Sequence, residues 1–184
     1  MAISGRKPFI VMHSSTLDLL SPSELQTVLA HELGHLKCEH GLWITAANIM
    51  TQFFGGVLGQ LLAPVLESLL LRWQRSAEYT CDRAALLVAG DWRTVASTFL
   101  KLSGGSNSYG ASLNLDAFME QSKRFDEAIK TSVGSVVSTG LEQGSTHPLP
   151  IVRIRELKKW SEGSQYRGLN RRGVVIPHSV NLSS

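Results

Sequence analysis

Only two cysteines, Cys38 and Cys81, occur in 184 residues, so the chain is not a disulfide scaffold. Charge of one sign is also scarce. Lysine and arginine number 18 against 15 aspartates and glutamates, a net charge of +3, and no basic run is interleaved with aromatics. That argues against nucleic acid as a partner. Met1 to Lys7 lacks the apolar core of a secretory signal. There are no internal repeats, which excludes a solenoid. What remains, 43% hydrophobic and 18% charged, is enough for one sizeable core.

What is present is concentrated at His31-Glu32-Leu33-Gly34-His35. Residues four apart share a helix face, so both imidazoles can bind one metal while Glu32 takes a proton from water. The segment before it specifies the helix. Ser21 is an N-cap, Pro22 suits the first helical position, and Glu24 completes a capping box. Leu25, Val28, Leu29 and Leu33 recur at helical spacing, which predicts a buried apolar stripe on a helix from Pro22 to Glu39. Gly34 costs a helix about 1 kcal/mol relative to Ala. It makes sense where a second helix or the metal site approaches the backbone.

Two histidines and a water leave one protein ligand to find. Glu78 is the candidate, on a predicted helix from Ala63 to Val88 that Gly90 terminates. Asp82 follows one turn later on the same face, placed to accept from the second ring N–H of a ligating histidine. Alone, Glu-x-x-x-Asp on a helix reads as a solvated face; the upstream motif reverses that balance. His147 stands before Pro148, at the edge of a predicted helix running to Trp160. From spacing alone it reads as a bystander.

With these motifs in order, the chain resembles the HtpX-like and CAAX-prenyl-endopeptidase zinc metallopeptidases, which are gluzincins. The resemblance rests on Leu20-Ser21-Pro22-Ser23-Glu24-Leu25, His31 to His35, Ala77-Glu78-Tyr79-Thr80-Cys81-Asp82-Arg83-Ala84, and Thr146-His147-Pro148 with Arg153-Ile154. It implies a mainly α fold with a small β element: a zincin-like core with an active helix and a second, Glu-bearing helix. It makes His31, His35 and Glu78 the ligands of one zinc ion per chain and Glu32 the general base. Asp82 and Arg153 support the ligands, and His147 stabilises the oxyanion or latches the open zinc position. The implied activity is endopeptidase action on membrane-associated or misfolded proteins, by a water that zinc acidifies to a pKa of about 7. Two alternatives stand beside it: a latched zinc-binding module without turnover, and an aminopeptidase of the same clan. The chain shows no dedicated amine-binding carboxylate motif, which favours the endopeptidase. Relatives carry more chain before Phe9, so this sequence is expected to be a fragment, a short isoform or a reduced version. The motif wording is similar to plastid and cyanobacterial relatives. The expected location is at a membrane, in a plastid, a mitochondrion or the bacterial inner membrane.

Residues Leu42 to Val65 carry no charge and are long enough to span a bilayer. One crossing would separate His35 from Glu78, and two need about 40 apolar residues. A helical hairpin bent at Gly55-Gly56 fits better, lying either at a membrane surface or in the interior. Asn48, Gln52 and Gln60 interrupt its apolar run and Pro64 breaks it. Phe9 to Met12 reads as a strand, either of the core or along the substrate. Helices are expected at Asp91 to Leu102 and Leu113 to Ile129, with a flexible connector at Ser103 to Ser108. Thr131 to Ser145 is expected to cover the cleft. Residues 1–160 form the expected peptidase domain and 161–184 a mobile basic tail. Cys38 and Cys81 read as small buried hydrophobes; His13, His40 and His178 read as incidental.

Overall fold

The computed structural model describes residues 2–3, 5, 7–53, 57–104, 114–130 and 148–172. Its only sheet among the described residues pairs β1 (Ala2–Ile3) antiparallel with β2 (Phe9–Ile10), with Ala2 opposite Ile10 and Ile3 opposite Phe9. The strand expected at Phe9 to Met12 is therefore shorter, and β1, not β2, packs on the motif helix. Helices make up the rest: α1 (Ser14–Leu19), α2 (Pro22–Lys37), α3 (His40–Phe53), α4 (Val57–Ala89), α5 (Trp92–Gly104), α6 (Leu115–Ile129), α7 (Pro150–Ser161) and α8 (Ser164–Arg171).

Local chemistry sets several of the ends. Ser21 accepts from the Glu24 backbone N–H, while the Ser21 backbone N–H donates to Glu24 Oε2 at 2.8 Å. Asp91 caps α5 by accepting from the N–H groups of Arg93 and Thr94. Asn114 does the same for α6 through Asp116 and Ala117. Gly90, at φ +72°, ends α4 in the left-handed conformation that glycine adopts without a Cβ penalty. Pro64 does not break α4, which runs through it for 33 residues. At the eighth position of the helix, Pro64 lacks the N–H that would bond to the carbonyl of residue 60, and α4 continues past that one missing bond.

α2 and α4 pack side by side at the centre, with α5 and α7 completing the core around Leu86, Val95, Phe99 and Ile154. The predicted stripe on α2 is corrected here. Its buried residues are Glu24, Thr27 and Ala30, while Leu29 and Leu33 are 39% and 55% exposed. The face that meets α4 is built from small residues because the helices come so close. A Cβ on Gly34 would lie 3.1 Å from Cys81 Sγ and 3.2 Å from its Cα. The approach anticipated from Gly34 is that of a second helix.

Glu24 does more than cap. It is 5% exposed and also accepts from Ser97 Oγ at 2.9 Å and Lys101 Nζ at 2.7 Å, which ties the start of α2 to α5. Within the stretch expected to be a mobile tail lies α8. Tyr166 is buried against Trp160 and donates to the Gly90 carbonyl at 3.2 Å, so apolar burial orders this part. The bend expected at Gly55-Gly56, the segment Thr131 to Ser145, and His147 and His178 lie outside the described residues.

Candidate metal centre

α2 brings His31 and His35 to its α4-facing side, one turn apart, and α4 supplies Glu78 from across the contact. His31 Nε2 lies 3.2 Å from His35 Nε2 and 3.4 Å from Glu78 Oε2, while His35 Nε2 lies 3.4 Å from Glu78 Oε1. The two Nε2 atoms thus face the two oxygens of the Glu78 carboxylate, one each, across 3.4 Å. Tetrahedral ligands about 2.1 Å from a zinc ion lie about 3.4 Å from one another. The donor set and its spacing fit that ion.

Around this cluster sit further charged groups. Asp82 is 1% exposed, and its Oδ1 lies 3.0 Å from His31 Nδ1. No hydrogen bond is formed between them, so the pair is a close electrostatic contact. Arg153 reaches in from α7. It donates through Nε to Asp82 Oδ2 at 2.9 Å and through Nη2 to Asp82 Oδ1, and Nη2 is 3.3 Å from Glu78 Oε2. Its guanidinium lies 4.2 Å over the Phe99 ring, which shields this arrangement from water. Burial lowers the His31 pKa, but the carboxylates of Asp82 and Glu78 outweigh it and raise the imidazole from 6.5 to about 9.

Glu32 is half-buried and lines a cleft of about 220 Å³ together with His31, Glu78 and Arg153. Val28, Phe99, Leu102 and Pro150 give that cleft apolar walls. The structure therefore gathers His31, Glu32, His35, Glu78, Asp82 and Arg153 at one place.

One buried group here had been read as incidental. His40 is 7% exposed, and its Nδ1 lies 3.1 Å from His35 Nδ1 and 3.6 Å from Cys81 Sγ. The signal was a third histidine five residues after His35. Cys81 is fully buried, as expected; burial, with Glu78 and Asp82 nearby, pushes its thiol up and keeps it protonated. Cys38 is exposed, contrary to its reading as a buried hydrophobe, because α2 ends there and turns it outward.

Comparison with known proteins agrees with this geometry. Over 174 residues the chain is 51% identical to the plastoglobule-localized metallopeptidase 48, chloroplastic, of Arabidopsis thaliana, covering 94% of this chain and 51% of that protein. It is 28% identical over 183 residues to a protease HtpX homolog of Methylibium petroleiphilum, covering 84% and 62% of the two chains. The HtpX homolog 2 of Methanosarcina mazei is 27% identical over 124 residues, 53% of this chain and 42% of that one. The chain thus spans about half the length of its plant relative. No solved structure matches it. The profile of peptidase family M48 matches residues 2–161, and the chain belongs to that family of zinc-dependent metallopeptidases.

Proposed function

We propose that the chain is a zinc endopeptidase, with His31, His35 and Glu78 holding one metal ion and Glu32 as the general base. The observation that carries this reading is the cluster of His31 Nε2, His35 Nε2 and the Glu78 carboxylate, with contacts of 3.2 to 3.4 Å, beside a cleft that Glu32 lines. When bound, zinc supplies Lewis acidity that brings the pKa of a water near 7. The Glu32 carboxylate accepts the proton of the attacking water and returns it to the departing amine. Asp82 and Arg153 hold the histidine and glutamate ligands in place, and His147 is the candidate donor to the developing oxyanion.

Membrane-associated or misfolded proteins are the proposed substrates, and a membrane surface the proposed partner. The α3–α4 pair supports this. Leu42, Trp43, Met50 and Leu69 are 53% to 60% exposed, and Trp43, Met50, Leu69 and Trp73 line an apolar hollow of about 340 Å³. An exposed apolar surface of this kind marks an interaction site. Among the described residues no helix is long and apolar enough to cross a membrane, so α3 and α4 would lie in the interface. The plant relative is by name plastoglobule-localized and chloroplastic, and a plastid is accordingly the proposed compartment.

The test joins metal content to turnover. Purified protein should hold about one zinc per chain and cut unfolded casein internally. Glu78→Ala should lose most of the metal. Glu32→Gln should keep it, and the fold, while hydrolysis stops, because an amide takes no proton from water. Casein cleavage by Glu32→Gln at the wild-type rate would refute the assignment. Release of single N-terminal residues only would make the chain an aminopeptidase.

A further inference from the structure

The second metal-binding histidine needs an orienting partner, and the structure supplies one that the sequence motif does not contain. A histidine that binds metal through Nε2 carries its proton on Nδ1 and holds its ring by donating that N–H. For His31 the neighbour at Nδ1 is Asp82, 3.0 Å away. For His35, whose Nε2 faces Glu78 and His31, the neighbour at Nδ1 is His40 Nδ1 at 3.1 Å. We infer that His40 is a positioning residue, whose Nδ1 lone pair accepts from His35 and fixes its ring for the metal; this rests on the zinc-site reading above.

His40 Nδ1 has two polar neighbours. His35 Nδ1–H approaches from one side, and the buried Cys81 thiol lies 3.6 Å away on another. With His35 Nδ1–H donating, His40 carries its own proton on Nε2 and presents Nδ1 bare. The His40 ring is set by packing. It stands edge-on to His35, with centroids 5.1 Å apart, and edge-on to Trp73 at 5.6 Å. The backbone does the rest. Glu39 takes φ +53°, a left-handed corner that closes α2 and lets α3 start at His40, folded back toward His35. A neutral imidazole in this role orients the ligand without adding negative charge, unlike Asp82 beside His31.

The experiment compares His40→Phe with His40→Asn. Phenylalanine keeps the ring and the edge contact with Trp73 but has no acceptor. Asparagine places a carbonyl oxygen close to where Nδ1 stood. Zinc affinity is read by competition with a chelator, and folding by circular dichroism of the metal-free proteins. His40→Phe should bind zinc about 10- to 100-fold more weakly, and His40→Asn within a few-fold of wild type. In cobalt-substituted wild-type protein, proton NMR should show two hyperfine-shifted, slowly exchanging ring N–H signals, from His31 and His35. The His35 signal should be lost to water exchange in His40→Phe and persist in His40→Asn.

Unchanged zinc affinity in a folded His40→Phe overturns the inference, as does an equal loss in both variants. Rapid exchange of the His35 N–H in the wild type also overturns it, whether or not any variant folds. A cobalt–thiolate charge-transfer band would place the metal among His35, His40 and Cys81 and likewise overturn it. Failure of the wild type to bind zinc at all would refute the underlying site instead.

Discussion

Replacing Gly34 with alanine sets two known effects against each other at the junction of α2 and α4, which carry the proposed ligands. Helix propensity alone favours the change by about 1 kcal/mol. Packing opposes it. The new methyl would meet Cys81 Sγ at 3.1 Å, Cα at 3.2 Å and Cβ at 3.4 Å, inside the roughly 3.5 to 4.0 Å of a comfortable carbon contact. One of the three atoms belongs to the backbone, so no rotamer change relieves the clash. α2 must retreat from α4 by a few tenths of an ångström, and overpacking of this sort costs about 1 to 3 kcal/mol. The net expectation is a loss of about 0 to 2 kcal/mol, measured by urea unfolding of the metal-free protein. The more telling readout is zinc affinity. The retreat carries His31 and His35 away from Glu78, and a site of this kind tolerates only about 0.5 Å of misplacement. A few tenths of an ångström uses up most of that margin, so affinity should fall by up to about tenfold, about 1.4 kcal/mol. Adding Cys81→Ala removes the Sγ contact but leaves Cα, so recovery should be partial. A Gly34→Ala protein that is about 1 kcal/mol more stable and binds zinc normally would refute the argument, because propensity would then act unopposed.

Asp82→Asn should weaken zinc binding by about 10- to 100-fold without removing a ligand, checked by chelator competition. Glu24→Gln should destabilise the fold by about 1 to 3 kcal/mol at neutral pH, read by thermal or urea unfolding. Burial alone would raise the Glu24 pKa, but Lys101, Ser21 and Ser97 outweigh it and hold the carboxyl below 4.5. Its contribution is therefore present above 4.5 and lost as pH falls through the lowered value, so the difference between the two proteins should shrink in acid. Trp43→Ser, Met50→Ser and Leu69→Ser combined should release the protein from liposomes in flotation, with salt acting only weakly; loss of folding stability in a protein that never floats would make these side chains core. His147→Ala should lower the hydrolysis rate with zinc retained, and a rise in rate would make His147 a latch.

The site was legible because its chemistry is local and periodic. The i, i+4 spacing of His31 and His35, the capping box at Ser21 and the Glu78–Asp82 pair each follow from helix geometry, and Gly34 announced a close neighbour. The apolar stripe on α2 was misjudged for the same reason that Gly34 was informative. Periodicity locates large side chains, but a close helix contact buries small ones, Ala30 and Thr27, and leaves Leu29 and Leu33 exposed. His40 was missed because its partner lies across a left-handed corner at Glu39, where helical spacing no longer applies. Arg153 came only by resemblance, since nothing in residues 148–160 tells that α7 crosses Asp82. Tyr166 shows the same limit: a stretch of polar residues held one anchor that orders α8.

The placement of Glu78 has a topological consequence. Two of the proposed ligands precede the α3–α4 hairpin and the third follows its turn, so a bound metal closes a loop on the order of forty residues long. By the chain-entropy relation for cross-links, closing such a loop restricts the unfolded chain by about 4 kcal/mol. On the proposed ligand set, the metal acts as a clasp at the root of the apolar hairpin. A chelator would then loosen the surface proposed to meet lipid as well as empty the site, and limited proteolysis within α3 should report that loosening.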